Sequence, residues 1–280
     1  MILPPCHRFI LMVLVFGLIN ACSGPNVGPV ETTFDKASVR VSKNVVAKFK
    51  LDFRTAYDRI EEAAVNDARP NYNKARLDEL TAKLSSGAKL PLIVYFHGCA
   101  GMLMASMEHL LWLAKLEDFV VIAPDSFARA RPHYCFGDFS VNTSIYRLVA
   151  QMRKAEIMHA LNRAVELPWV DKDNIFLIGH SQGGGLVAGY SGPVKIRGRI
   201  ILNGGCNTGL GGDGMQDDEA LLTFDTGRDP WFFNNYTSHC RAYVSSHPNG
   251  QSIYEADSRT HNLVIKYWPL VKKFLKENRH

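Results

Sequence analysis

Between Ile175 and Gly189 the chain reads IFLIGHSQGGGLVAG. The apolar run IFLIG has the length and composition of a buried strand. It stops at a serine enclosed by glycines, and small residues compatible with a helix follow at once. Gly179-His180-Ser181-Gln182-Gly183 is G-x-S-x-G. Placed between a strand and a helix, this pattern makes a sharp turn that strains the serine backbone and lifts its hydroxyl over the edge of a sheet. The glycines remove side chains that would collide with strand and helix. The new helix aims its first N–H groups at the place where negative charge develops. A solvent-facing serine in an ordinary turn would not need glycine on both sides, and a phosphate-binding loop would need G-K-[ST], which does not follow. The stretch therefore demands a layered strand-and-helix fold and makes Ser181 a candidate nucleophile.

The rest of the chain supplies those layers. Short apolar runs at 92–96, 119–123, 175–179, 199–203, 221–224 and 241–245 predict strands. Amphipathic stretches at 104–116, 144–166 and 263–277 predict helices between and after them. Apolar strands separated by helices make an α/β fold, a mainly parallel sheet with helices on both faces. Upstream, 52–68 and 71–86 read as a short N-terminal helical segment, with Tyr57, Ile60 and Ala64 on one face and Leu77, Leu80 and Leu84 on the other helix's face. The long loops at 125–143, 204–220 and 246–262 should gather at the carboxyl edge of the strands and build a site there.

A nucleophilic serine needs a base, an orienting acid and an oxyanion hole, sought in the chain order Ser, Asp or Glu, His. Asp229 follows the run LLTF and a turn-permitting glycine, and is preferred as the acid to Asp225, which is nearer the strand. His261 precedes the closing helix and is preferred as the base; His247 is its rival, and His239 falls at the wrong end of a strand. Asp257 is a loop residue or a partner of that base. The oxyanion N–H groups are assigned to Gln182 and to Cys99 in the turn His97-Gly98-Cys99-Ala100-Gly101, with Ala100 as the alternative to Cys99. His97 is read as bracing that turn through hydrogen bonds. This chemistry requires no metal or cofactor, and the acidic, Gly-rich loop 204–220 does not match the spacing of an EF-hand.

The N-terminus has a different character. Phe9 to Ile19 is an apolar run behind His7 and Arg8, too short to span a bilayer comfortably and suited to a secretory signal. It ends in Leu18-Ile19-Asn20-Ala21-Cys22, which resembles a bacterial lipoprotein signal: cleavage before Cys22, lipidation of that cysteine, and Ser23 directing the product to the outer membrane. The expected organisation is a signal at 1–21, a tether at 22–50, the helical segment at 51–87 and the main domain at 88–280. The expected location is the bacterial cell envelope, lipid-anchored and facing the periplasm. The net charge of +5 comes without a dense Lys/Arg block, so no nucleic-acid partner is expected. A mean hydropathy of −0.09 excludes a polytopic membrane protein. After cleavage and lipidation Cys99, Cys135, Cys206 and Cys240 remain, and in an oxidising compartment they are disulfide candidates.

Taken in order, the segments PLIVYFHGCAGM (91–102), VVIAPDSF (120–127), GHSQGG (179–184), TGRDPWF (226–232) and THNL (260–263) resemble the α/β-hydrolase superfamily, and within it the dienelactone-hydrolase-related branch. The resemblance covers roughly 88–278. Ser181 stands where dienelactone hydrolases proper carry cysteine, so it implies a serine esterase or related hydrolase acting on a small-molecule ester. The alternatives are a noncatalytic envelope lipoprotein that binds through this fold, and a peptidase. The placement of the cysteines around the strands predicts the pairs Cys99–Cys135 and Cys206–Cys240. Arg129, Arg131, His133, Tyr134 and Phe136 in the loop 125–143 suit an anionic or aromatic acyl compound, or else are solvated charges and packing aromatics.

Overall fold

The computed structural model describes residues 27–41, 77–84, 87–116, 118–132, 135, 143–206, 214–231, 240–263 and 265–280. The expected signal at 1–21, Cys22 and the helix at 52–68 lie outside the described residues, as do His133, Tyr134, Phe136 and His239.

The sheet has seven strands: β1 (Ser38–Val41), β2 (Leu90–Phe96), β3 (Val120–Ala123), β4 (Val170–His180), β5 (Gly198–Leu202), β6 (Ala220–Thr226) and β7 (Gly250–Glu255). Their spatial order is β1-β3-β2-β4-β5-β6-β7. All neighbours run parallel except β1, which is antiparallel to β3. The helices are α1 (Glu31–Asp35), α2 (Leu77–Lys83), α3 (Met104–Leu113), α4 (Thr143–Glu166), α5 (Gln182–Ala188), α6 (Arg241–Val244) and α7 (Trp268–Glu277). The expected α/β architecture is present.

Both faces of the sheet are covered, as the nearly unbroken apolar strands require. In β2, Leu92, Val94 and Phe96 join one core, with Ile157 and Leu161 of α4. Ile93 and Tyr95 point the other way, into a second core with Leu110 and Leu113 of α3 and Val271 and Phe274 of α7. α7 begins with a proline in its first turn and buries Trp268, Val271, Phe274 and Leu275, one stripe at helical spacing.

The order of the strands locates the functional edge. From β2 the chain moves outward to β3, then returns across β2 to start β4 on its other side. At such a reversal the connections leave on opposite faces, and a crevice opens beyond the carboxyl ends of the two strands. Here Phe96 is level with Gly179. The turn after β2 and the elbow after β4 therefore meet.

Three expectations need correction. The segment 22–50 is not a tether throughout: α1 buries Phe34, and SVRV forms β1 on the sheet edge. RAYVS (241–245) is not a strand, since Arg241–Val244 is the helical turn α6; such a short apolar run fits either state until packing decides. The last strand is instead GQSIYE, inside the segment read as the loop 246–262. It is an edge strand, and its partial exposure permits the polar composition that hid it.

Candidate active site

Ser181 has φ 55° and ψ −119°, a strained conformation for a residue with a Cβ. Its N–H donates to the Leu202 carbonyl at 2.9 Å, and its own carbonyl accepts from Gly185 N–H in the first turn of α5. The elbow glycines are required by contact. A Cβ on Gly183 would lie 2.1 Å from the Phe96 carbonyl oxygen, and one on Gly179 would lie 2.2 Å from the Gly183 carbonyl oxygen. Strand β2, strand β4 and helix α5 meet here at backbone distance, which holds the serine in its strained state.

The acid side is built at the end of β6. Asp229 is 2% exposed, and its carboxylate has two donors. Trp231 N–H reaches Oδ1 at 2.9 Å, and His261 Nδ1 lies 2.6 Å from Oδ2. A carboxylate oxygen accepts, so Nδ1 carries the hydrogen and Nε2 carries the lone pair that a base requires. The loop bearing His261 is laced to β6 by Gly227 N–H to the Glu255 carbonyl (2.8 Å), Arg228 N–H to the Ser258 carbonyl (3.0 Å) and the Thr226 hydroxyl to the Thr260 carbonyl (2.6 Å).

A second histidine joins the two halves. His180, next to Ser181, is buried; its Nε2 donates to the main-chain carbonyl of His261 at 2.7 Å. Burial, reinforced by the neighbouring His109 and His261, holds its pKa well below the usual value, so the ring is neutral. Behind it, His109 stacks edge-on at 4.9 Å between ring centroids and lies 2.9 Å from the Tyr95 hydroxyl. Burial lowers the pKa of His109 to about 3.

On the opposite wall, the turn 97–101 is clamped from beneath. His97 is fully buried; its Nε2 accepts from Ser126 N–H at 3.0 Å, so Nδ1 carries the hydrogen and donates to the Gly98 carbonyl at 2.6 Å. Burial and the nearby Arg153 guanidinium keep this ring neutral. Arg153 donates to the His97 carbonyl at 2.7 Å and pairs with Glu156 at 3.1 Å. Glu156 also holds Arg129 at 2.8 Å and accepts from the Ser126 hydroxyl at 2.7 Å. Cys99 and Cys135 form a disulfide with Cα atoms 5.0 Å apart, fastening the turn to the segment after β3. A second disulfide, Cys206–Cys240, joins the turn after β5 to α6.

These walls line an open cavity of about 150 Å³, with Ser181, His261, His180, Gly98, Cys99 and Trp231 among its lining. Among the described residues, no loop or turn bond between backbone groups uses the N–H of Cys99 or of Gln182. No group of His, Cys, Asp or Glu among them could hold a metal ion.

No protein-family model matches the sequence, and no curated protein matches it. Solved structures do match in shape. Esterase PE8 is 18% identical with a TM-score of 0.51, the match covering 69% of this chain and 94% of that one. A dienelactone hydrolase-like promiscuous phosphotriesterase from metagenomic libraries is 17% identical with a TM-score of 0.51, covering 69% and 89%. An acetyl xylan esterase from a Paenibacillus species is 16% identical with a TM-score of 0.50, covering 68% and 75%.

The fold is that of the α/β-hydrolases.

Within the α/β-hydrolase fold the rival candidates separate clearly. His247 precedes β7 and bonds to the Gln216 carbonyl at 2.9 Å, at the amino edge of the sheet, away from Ser181. Asp225 lies inside β6, level with Tyr254. Burial, augmented by Asp229, raises its pKa to about 7. Asp257 is exposed and pairs with Arg228 at 3.3 Å. Arg129 is not a surface cation awaiting a ligand, because Glu156 neutralises it inside the protein. Sequence reading missed His180 as a bridge to His261, and it missed Arg153 and Glu156. Both of the latter sit on α4, and only their burial reveals the role.

Proposed function

We propose that this protein is a serine hydrolase that cleaves esters by acyl transfer to water through Ser181, His261 and Asp229. The supporting observation is the buried Asp229 carboxylate on His261 Nδ1, with that imidazole and the strained Ser181 lining one cavity. Ser181 Oγ attacks the ester carbonyl while His261 Nε2 takes its proton. Asp229 fixes the tautomer and stabilises the imidazolium. The N–H groups of Cys99 and Gln182 receive the oxyanion, the second at the start of α5 where the helix dipole adds to it. The imidazolium then protonates the leaving alcohol. Water, deprotonated by the same ring, releases the acid and restores Ser181.

The protein works outside the cytoplasm in this proposal, cleaved before Cys22 and held by lipid on that cysteine at the outer membrane, facing the periplasm. Two disulfides fit an oxidising compartment. Loss of palmitate labelling in Cys22→Ala tests the anchor.

Fluorophosphonate labelling tests the chemistry. Mature wild type should label and hydrolyse p-nitrophenyl esters, and Ser181→Ala should lose labelling and about a millionfold in kcat. A folded wild type that neither labels nor hydrolyses would be a binding protein on a hydrolase scaffold.

A further inference from the structure

The cavity walls differ in chemistry, and the difference specifies which part of an ester sits where. One wall belongs to the base loop and carries His261. The leaving oxygen must meet that ring to be protonated, so the alcohol belongs there. The other wall comes from the turn 98–101, the first turn of α3 and the disulfide. It presents Ala100, Gly101, Leu103, Ala105, Ser106 and Cys135. The Ser106 hydroxyl is already donated to the Gly101 carbonyl at 3.2 Å. What remains is small and apolar.

We infer, granted the serine-hydrolase reading, that this second wall is an acyl pocket for a short, uncharged acyl group of two to about four carbons. Size sets the upper limit for what the described walls can shelter: the cleft of about 150 Å³ matches in volume a cavity that holds benzene, and it must also contain the reacting carbonyl. Charge sets the other limit. None of the described lining residues is Lys, Arg, Asp or Glu. The cations flanking the turn contact the scaffold: Arg129 and Arg153 are paired with Glu156 beneath the turn, and Arg131 donates to the Ser126 hydroxyl and the Pro132 carbonyl and lies over the Phe127 ring. An acyl chain ending in a carboxylate would lose its water and meet no cationic side chain among the described lining residues. Of the two readings of the loop 125–143, this disfavours the one in which its arginines receive an anionic acyl group.

The test compares p-nitrophenyl acetate, butyrate, octanoate and hydrogen succinate on mature wild type. Acetate and butyrate should agree in kcat/KM to within about tenfold, and octanoate should fall at least about a hundredfold below butyrate. Hydrogen succinate, similar in length to butyrate but anionic, should also fall at least about a hundredfold below it. Ala105→Phe should lower the butyrate-to-acetate ratio at least about tenfold by filling the pocket. Leu103→Ala, at an exposed rim position, should raise the octanoate-to-butyrate ratio. Octanoate or hydrogen succinate turned over as fast as butyrate overturns the acyl pocket and leaves serine hydrolysis standing. Failure of folded wild type to label with fluorophosphonate overturns the hydrolase reading, and this inference with it.

Discussion

On the side of the oxyanion turn, buried charges hold the cleft: Glu156 sits between Arg129 and Arg153, and Arg153 reaches the His97 carbonyl. On the base side, hydrogen bonds from the end of β6 and the turn after it to the main-chain carbonyls of residues 255–260 do that work, with His180 reaching the His261 carbonyl. The first side gains rigidity from groups that are safe inside the protein only while every partner is present. The second spreads its support over many bonds, each worth about 1 kcal/mol net, so single losses are tolerated better. In the proposed cycle fixed dipoles must not relax as charge develops, and a rigid brace under the turn serves that need. In that cycle the imidazole passes a proton between two oxygens, and it needs one strong orienting contact more than a cage.

The largest expected effect lies on the base side at that contact. Asp229→Asn should lower kcat by about four orders of magnitude with the fold intact, because the amide favours the wrong imidazole tautomer. Circular dichroism together with p-nitrophenyl butyrate kinetics checks this, and near-normal turnover would dissolve the contrast.

Glu156→Gln should cost about 3–5 kcal/mol of stability by leaving two buried guanidiniums without their counter-charge. A urea midpoint unchanged from wild type would show that the brace is not a charge network at all.

Acid should loosen both sides. His97, His109 and His180 are buried with pKa values held below the ordinary range, so the unfolded chain binds protons near pH 6.5 that the folded chain refuses. Stability from these groups is therefore present above pH 6.5 and is lost as pH falls below it. Asp225 acts in the opposite sense: burial raises its pKa to about 7, so the folded form keeps a proton that the unfolded form has released above about 4. The histidines outnumber it, and the net loss between pH 7.5 and 5.5 should be about 2 kcal/mol. Urea titrations at the two pH values measure it, and a midpoint that rises toward acid would contradict the assignment of three neutral rings.

The smallest effect should come from Asp225→Asn. It should change kcat by less than about tenfold, because the side chain lies within β6 rather than on the base. A loss matching that of Asp229→Asn would exchange their roles.

Much of this was legible locally. Continuous apolar runs announced β2, β4, β5 and β6, since a strand buried on both faces has no polar side to show. Where burial is partial the signal failed: β7 reads as a polar loop, and β1 is four residues inside an apparent tether. RAYV satisfied strand composition and became a helical turn because the Cys206–Cys240 bridge and the return to β7 leave it on the outside of the sheet.

The sequence by itself determined the elbow, because backbone atoms there approach within a distance that only glycine permits, and that requirement is written in the residues themselves. It also determined the order of strand and helix from β2 through β6 and the chain positions of Ser181, Asp229 and His261. Tertiary structure alone decided that Glu156 and Arg153 face inward, that His180 reaches the loop of His261, and that the arginines after β3 serve the scaffold. Each depends on a partner distant along the chain. A charged side chain carries no local mark of whether it will meet water or a counter-charge.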